Sequence, residues 1–196
     1  FKVGIRVGKP QVSYRESISS PSSAESTFRK EQGDKFQFGH CKITVEQTDC
    51  QSGVSFETSL TKRELPQEFI DAIEKSIKDT SLGGGLAGYA FINVKATLVS
   101  AEYNELEANN VAYAIAASNA FREACKKANI KMMEPVMALE IITPNEYTGD
   151  IISDINTKRG RILSMDAGRN KEVLRAEAPL SELFGYSTDI RSKSQG

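Results

Sequence analysis

Apolar side chains recur at Val111, Ile115, Ala117, Phe121, Ala124 and Cys125. That spacing lays one stripe on a core and predicts the longest helix of the chain over residues 107–129. Ala112, Ala114, Ala116 and Ala120 fill the gaps with strong helix formers that let a sheet come close. Asn109 or Asn110 can cap its start, and Asn129 stands where a left-handed stop residue belongs. At about 1.5 Å per residue this is a rod of roughly 30 Å. A strand signal over 91–99 feeds it through an acidic, polar turn over 100–108, so the rod presents a polar loop at its tip.

Period-two alternation predicts strands over 1–7, 11–18 and 38–45, with a short strand over 54–58. The Ser/Pro-rich stretch 19–26 reads as a loop, and Gln32, Gly33, Asp34 and Lys35 as a polar turn. Residues 65–79 form an amphipathic helix with Pro66 and Glu68 in its first turn and Phe69, Ile70, Ile73 and Ile77 inward. Near 131–134 the character changes, which divides the chain into residues 1–131 and 132–196. In the second part, 135–142 reads as a strand. Thr143, Pro144, Asn145 and Glu146 read as a capping box opening a helix that runs to Lys158 and Arg159 and stops at Gly160. Strands over 161–165 and 171–178 and helical stretches over 179–184 and 188–193 complete β-α-β-β-α. That order is one strand short of a split βαβ, ferredoxin-like unit.

With 196 residues, 39% hydrophobic and 26% charged, the chain is ordinary globular material of one or two domains. No run of eighteen apolar residues predicts a membrane span, and nothing at the start predicts export. Three cysteines without a CxxC fit a reducing compartment. A net charge of −1 means that any binding to nucleic acid must rest on local patches. A single histidine, His40, leaves little room for triads or zinc sites, and no phosphate-binding loop of the nucleotide-hydrolysing kind is present. Residues 83–88 match G-x-G-x-x-G, but a helix precedes them and a strand follows. A dinucleotide site needs the reverse order, so they read as a connecting turn.

Several residues carry two readings. His40 is a hydrogen-bonded histidine at a strand start or an RNA contact. Glu102, Glu105 and Glu107 complement a helix dipole or form a carboxylate or metal site. Lys158, Arg159 and Arg161 suit a helix C-terminus, and with Arg169 and Lys171 they also form a patch able to meet rRNA. Phe36 and Phe38 fall on one strand face, for burial or for stacking on a base.

Several blocks together resemble one family. Gly8-Lys9-Pro10-Gln11-Val12, Tyr14-Arg15-Glu16, Gln37-Phe38-Gly39-His40, Leu86-Ala87-Gly88-Tyr89, Val94-Lys95-Ala96-Thr97-Leu98 and Ile115-Ala116-Ala117-Ser118 are similar to the fourth domain of bacterial elongation factor G. Glu134-Pro135-Val136-Met137, Thr143-Pro144, Gly149-Asp150-Ile151-Ile152, Arg159-Gly160-Arg161-Ile162 and residues 179–192 are similar to its fifth. The resemblance implies an α+β protein of two domains. The first is a β-α-β domain like that of a ribosomal small-subunit protein, with a left-handed crossover. The second is an incomplete ferredoxin-like domain.

The resemblance further implies a fragment, with a GTPase domain before Phe1 and a last strand and helix after Gly196. The fragment itself would have no catalytic site, cofactor or metal, whereas the parent would be a GTPase using GTP and Mg. It implies a monomeric, cytoplasmic partner of the ribosome: of tRNA–mRNA at the decoding site, of rRNA, and of the large-subunit factor-binding region. The implied work is translocation, or recycling or ribosome protection in a paralogue; a free-standing RNA-binding module is the reading from another class. The contact residues would be Gln32, Gly33, Asp34, Lys35, Phe36, Gln37, His40, Tyr103, Asn104, Glu105, Lys158, Arg159 and Arg161. Where the family reads S-G-G-R-G-Q-Y-G-H, this chain has Gly33-Asp34-Lys35-Phe36-Gln37-Phe38-Gly39-His40 after Gln32, and Asn104 replaces the tip histidine of the second loop.

Overall fold

The computed structural model describes residues 11–32, 35–49 and 52–193, so the strand expected over 1–7 and the turn residues Gly33 and Asp34 lie outside the described residues. The chain separates into two compact units: Arg15–Met133, and a second built on the residues from Glu134 onward, with which 11–14 group.

The first unit begins with β1, Arg15–Ile18, shorter than the expected 11–18 because residues 11–14 make no ladder. β2 (Ser22–Gln32) and β3 (Lys35–Gln47) form a hairpin paired from Ser22↔Val45 to Gln32↔Lys35. The Ser/Pro-rich stretch expected as a loop is therefore mostly strand. Its composition is that of an edge strand with a wet outer face, and β3 supplies the pairing that local propensity does not reveal. β4 (Val54–Thr58), α1 (Gln67–Leu82) and β5 (Val94–Glu102) make a β-α-β unit with β4 parallel to β5. α2 (Asn110–Lys127) and β6 (Ile130–Met133) follow, β6 pairing with β1. The sheet order is β2-β3-β5-β4.

Both helices and the inner sheet face share one core, in which Ile43, Val45, Ile73, Ile77, Leu98 and Phe121 are fully buried. Each such side chain contributes about 1.5–3 kcal/mol of burial. The stripe of α2 differs from the expected one. Val111 is 58% exposed, while Ala112, Ala116, Ala117, Ala120 and Ala124 are wholly buried. Small residues face the sheet because the helix lies almost on it: a Cβ on Gly39 would stand 2.6 Å from the Ala112 carbonyl carbon and the Tyr113 nitrogen. As expected, Asn109 caps α2, its Oδ1 accepting from Val111 N–H (2.9 Å) and Ala112 N–H (3.3 Å). Asn129 adopts the left-handed conformation, with φ 57°.

The glycine-rich stretch 83–88 does hold an anion, but it is the chain's own. Glu16, on β1 and fully buried, accepts N–H bonds from Gly85 (2.6 Å), Leu86 (2.9 Å), Ala87 (2.7 Å) and Tyr89 (3.2 Å). Gly84, at φ 65°, lets the chain turn around the carboxylate. Burial would raise the Glu16 carboxyl, yet the four donors outweigh it and hold it below its ordinary value.

In the second unit, β7 (Val136–Pro144), α3 (Thr148–Thr157), β8 (Arg161–Ala167), β9 (Lys171–Pro179) and α4 (Tyr186–Lys193) give an antiparallel sheet ordered β7-β9-β8. This is the α+β, ferredoxin-like order expected, without a fourth strand among the described residues. Ile151, Ile155, Leu174 and Ala176 form its core. Two local expectations fail. The capping box does not close: Thr143 Oγ1 meets the Pro144 carbonyl, and a 3-10 turn over Asn145–Tyr147 precedes α3. The left-handed stop after α3 is Arg159, at φ 56°, not Gly160. From that conformation its guanidinium pairs with carboxylates on two other segments, Glu134 and Glu182.

Candidate nucleic-acid interface

The hairpin end and the loop between β5 and α2 meet. Phe38 N–H donates to the Glu107 carbonyl at 2.8 Å, Phe38 bridges Ala108, and Arg29 Nη2 lies 3.8 Å from the Glu107 carboxylate. This assembles Phe36, Gln37, His40, Tyr103, Asn104 and Glu105 in one region, with the Gln32 and Lys35 backbones paired at the hairpin end.

Within that region the side chains divide. Phe36 is 43% exposed and available for stacking, whereas Phe38, on the same strand face, is half-buried beside Arg29. His40 lies within β3 rather than at a strand start, and its Nδ1 is 2.8 Å from Thr27 Oγ1 across the ladder. Tyr103, 41% exposed, leans on Phe69 with ring centroids 5.8 Å apart. Phe69 in turn packs on Tyr113 at 4.9 Å, and the buried Tyr113 hydroxyl donates to the Glu102 carbonyl at 2.6 Å. Asn104 is exposed, but its Oδ1 accepts from Leu106 N–H (3.1 Å), closing an Asx turn. Its carbonyl accepts from Ala108 N–H (2.8 Å) and Glu107 N–H (3.1 Å). At the crest stands Leu106, 93% exposed, which motif and periodicity do not single out. Its only sequence signal is an apolar residue alone among acidic ones.

The carboxylates of this loop make no metal-holding cluster among the described residues. No acidic residue occupies the first turn of α2, so dipole complementation falls to Glu107, outside the helix, and is weakened. Cys41 and Cys125 are buried, and burial pushes both thiols up to about 12, which leaves them unreactive.

The cations of the second unit differ in chemistry from the loop. Arg159 makes a bidentate pair with Glu134 (2.7 and 3.1 Å) and also reaches Glu182 (3.1 Å) and Ser181 (3.1 Å). Lys158 meets the Glu182 carbonyl (3.4 Å) and the Tyr186 ring (5.1 Å to its centroid). Arg161 pairs with Glu177 at 2.7 Å. Beside β7, Leu139, Ile141, Ile151, Leu183, Tyr186 and Ile190 line an open groove of about 700 Å³. No helix among the described residues is long and apolar enough to cross a membrane.

Comparison with known proteins fits both units. Residues 10–129 match the family model of elongation factor G, domain IV, and residues 131–196 match that of the elongation factor G C-terminus. A solved crystal structure of a protein from Thermus thermophilus superposes with a TM-score of 0.83 at 32% identity. The match covers 96% of this chain and 28% of that one. From its first matched block to its last, the chain belongs to the elongation factor G family, a family of translation elongation factors, and carries that family's domain IV and C-terminal domain.

Proposed function

We propose that this chain is the ribosome-binding part of a translational GTPase that promotes tRNA–mRNA translocation. The first unit acts as an arm whose loop end meets the tRNA–mRNA duplex, and the second meets rRNA near the factor-binding region of the large subunit. The observation that carries this reading is the junction of the β2–β3 hairpin with the 103–108 loop through Phe38 and Glu107. It gathers aromatic and amide groups from two distant stretches at one end of the arm. GTP and Mg belong to the parent protein. The chain itself neither binds GTP tightly nor hydrolyses it; in support, the amides of Gly85, Leu86 and Ala87 in the glycine-rich stretch already serve Glu16. The parent works as a monomer in the cytoplasm.

The test is co-sedimentation of the chain with 70S ribosomes carrying mRNA and tRNA, followed by single-round translocation with the full-length parent. Saturable binding and codon-length movement are expected, and a chain that binds free tRNA as well as ribosomes would instead be a general RNA-binding module. A second reading, ribosome recycling or protection, is favoured by one observation: the Asn104 side chain is engaged in its own turn, so the crest of the loop is the apolar Leu106. Subunit splitting by the parent without translocation would select it.

A further inference from the structure

The 103–106 side chains are exposed, yet the loop backbone is tied at Glu102, Asn104, Leu106, Glu107 and Ala108. Tyr113 is wholly buried on the face of α2 that otherwise carries mostly alanines, and its ring packs on Phe69 of α1, where phenylalanine would fill the same space. Its hydroxyl needs an acceptor once buried. The acceptor is the carbonyl of Glu102, the last residue of β5, at 2.6 Å, so the bond fixes the point where the chain leaves the sheet. Phe69, on α1, touches both the Tyr113 ring and the Tyr103 ring, which sets the first side chain of the loop. Beyond it, the Asn104 turn and the Glu107–Phe38 bond close the loop and leave Leu106 facing outward. A loop ordered beforehand does not lose conformational freedom on contact, which strengthens binding without adding a contact.

We propose that Tyr113 and Phe69 are positioning residues for RNA contact: two buried rings, one on each helix, that hold the 103–108 loop in its contact-ready form and present Leu106 and Tyr103. The inference rests on the proposed role of the arm. Neither ring touches RNA; each acts through the loop.

The experiment uses the intact chain with Tyr113→Phe, Phe69→Leu and Leu106→Ala. Amide hydrogen exchange at Leu106, Glu107 and Ala108 is measured first, without any ligand. Tyr113→Phe should raise exchange at these amides about ten-fold while leaving the amides of β3 and α2 protected. Affinity for 70S ribosomes carrying mRNA and tRNA should then fall about five-fold for Tyr113→Phe and more for Phe69→Leu. Leu106→Ala should lose affinity with its exchange unchanged, which separates contact from positioning. Unchanged exchange in Tyr113→Phe overturns the inference, as does faster exchange with unchanged ribosome affinity. If the unaltered chain does not bind ribosomes, the proposed function falls, and with it any RNA role for the two rings. Because exchange is read without ribosomes, that failure remains distinct from a failure of positioning.

Discussion

The loop end of the first unit and the cationic cluster of the second are built in opposite ways. In the loop, the backbone is held at Glu102, Asn104, Leu106, Glu107 and Ala108, and the side chains of Tyr103, Asn104, Glu105 and Leu106 are exposed. In the cluster, the cations named as contacts are themselves engaged: Lys158 with the Glu182 carbonyl and the Tyr186 ring, Arg159 with Glu134 and Glu182, Arg161 with Glu177. A basic residue read from sequence is therefore only a candidate. Whether it faces a partner depends on carboxylates far away in the chain, and Glu134 and Arg159 are a case in point. The same lesson holds for the glycine-rich stretch, an anion cradle already filled by Glu16.

The largest expected effect tests that cradle. Glu16→Ala removes the buried acceptor shared by four N–H donors of an exposed loop, each worth about 1–3 kcal/mol when left wholly unmet. Allowing for entering water, the loss should be about 3 kcal/mol or more, read from the midpoint of urea unfolding. Glu16→Gln, which keeps one oxygen, should lose less. The sign with pH follows from the depressed carboxyl. Its stabilisation is present above the unfolded value near 4.5 and is lost as pH falls through the lower folded value. Glu16→Gln should accordingly flatten the acid limb of stability below about pH 4.5. An acid limb identical in both forms would show that the carboxylate does not organise the loop.

Next comes the loop end itself, in the parent protein. Asp34 brings a carboxylate that phosphate would repel, Phe36 replaces a pliable residue, and Asn104 cannot carry charge. The triple variant Asp34→Gly, Phe36→Gly, Asn104→His should translocate about ten-fold faster in a single round. Two charge-assisted contacts at about 1.5–3 kcal/mol each would allow still more. A parent already as fast as a dedicated translocase would remove this argument. Asn104→His also breaks the Asx turn, so part of the gain should be offset unless Tyr113 and Phe69 hold the loop unaided.

A smaller effect is expected from the hairpin. Phe36→Ala should weaken ribosome binding about five- to ten-fold if the ring stacks on a base, since such stacking is worth about 1–3 kcal/mol. Lys30 is exposed on β2 opposite Gln37, and Lys30→Ala should lower the slope of log affinity against log salt by about 1 if that ammonium meets a phosphate. An unchanged slope would assign the hairpin contact to bases or protein alone.

Much of this architecture is legible from periodicity, and the departures share a cause. The short strand Val54–Thr58, the stripe of α1, the Asn109 cap and the left-handed Asn129 are local features, set by neighbours within a turn or two. β2 escapes a local reading because its pairing partner, β3, decides it, and a Ser-rich edge strand looks like a loop when read alone. Val111 faces outward, against the periodicity, because the true stripe is set by how closely Gly39 lets α2 approach the sheet. Phe36, Tyr103 and Asn104 emerge from the family resemblance, and the structure gathers them in one region. Leu106, Tyr113 and Phe69 carry no such mark, since a buried tyrosine looks like any core aromatic until its hydroxyl partner is known.

The smallest expected effect is the sharpest test of the comparison. If the cations of the second unit hold that unit together, Arg159→Gly should leave ribosome affinity within about two-fold, because exposed ion pairs contribute little and the guanidinium is already held by Glu134 and Glu182. Glycine is the informative choice. It relieves the left-handed backbone at φ 56° while deleting the pairs to Glu134 and Glu182, so loss of fold is kept small and loss of charge is complete. Arg161→Ala, which removes only the pair to Glu177, should be quieter still. Should Arg159→Gly instead lower affinity ten-fold and reduce the salt slope by about 1, the guanidinium must exchange its carboxylates for phosphate on the ribosome. The two regions would then differ in timing rather than in purpose: one contact-ready before binding, the other released from its ion pairs by it.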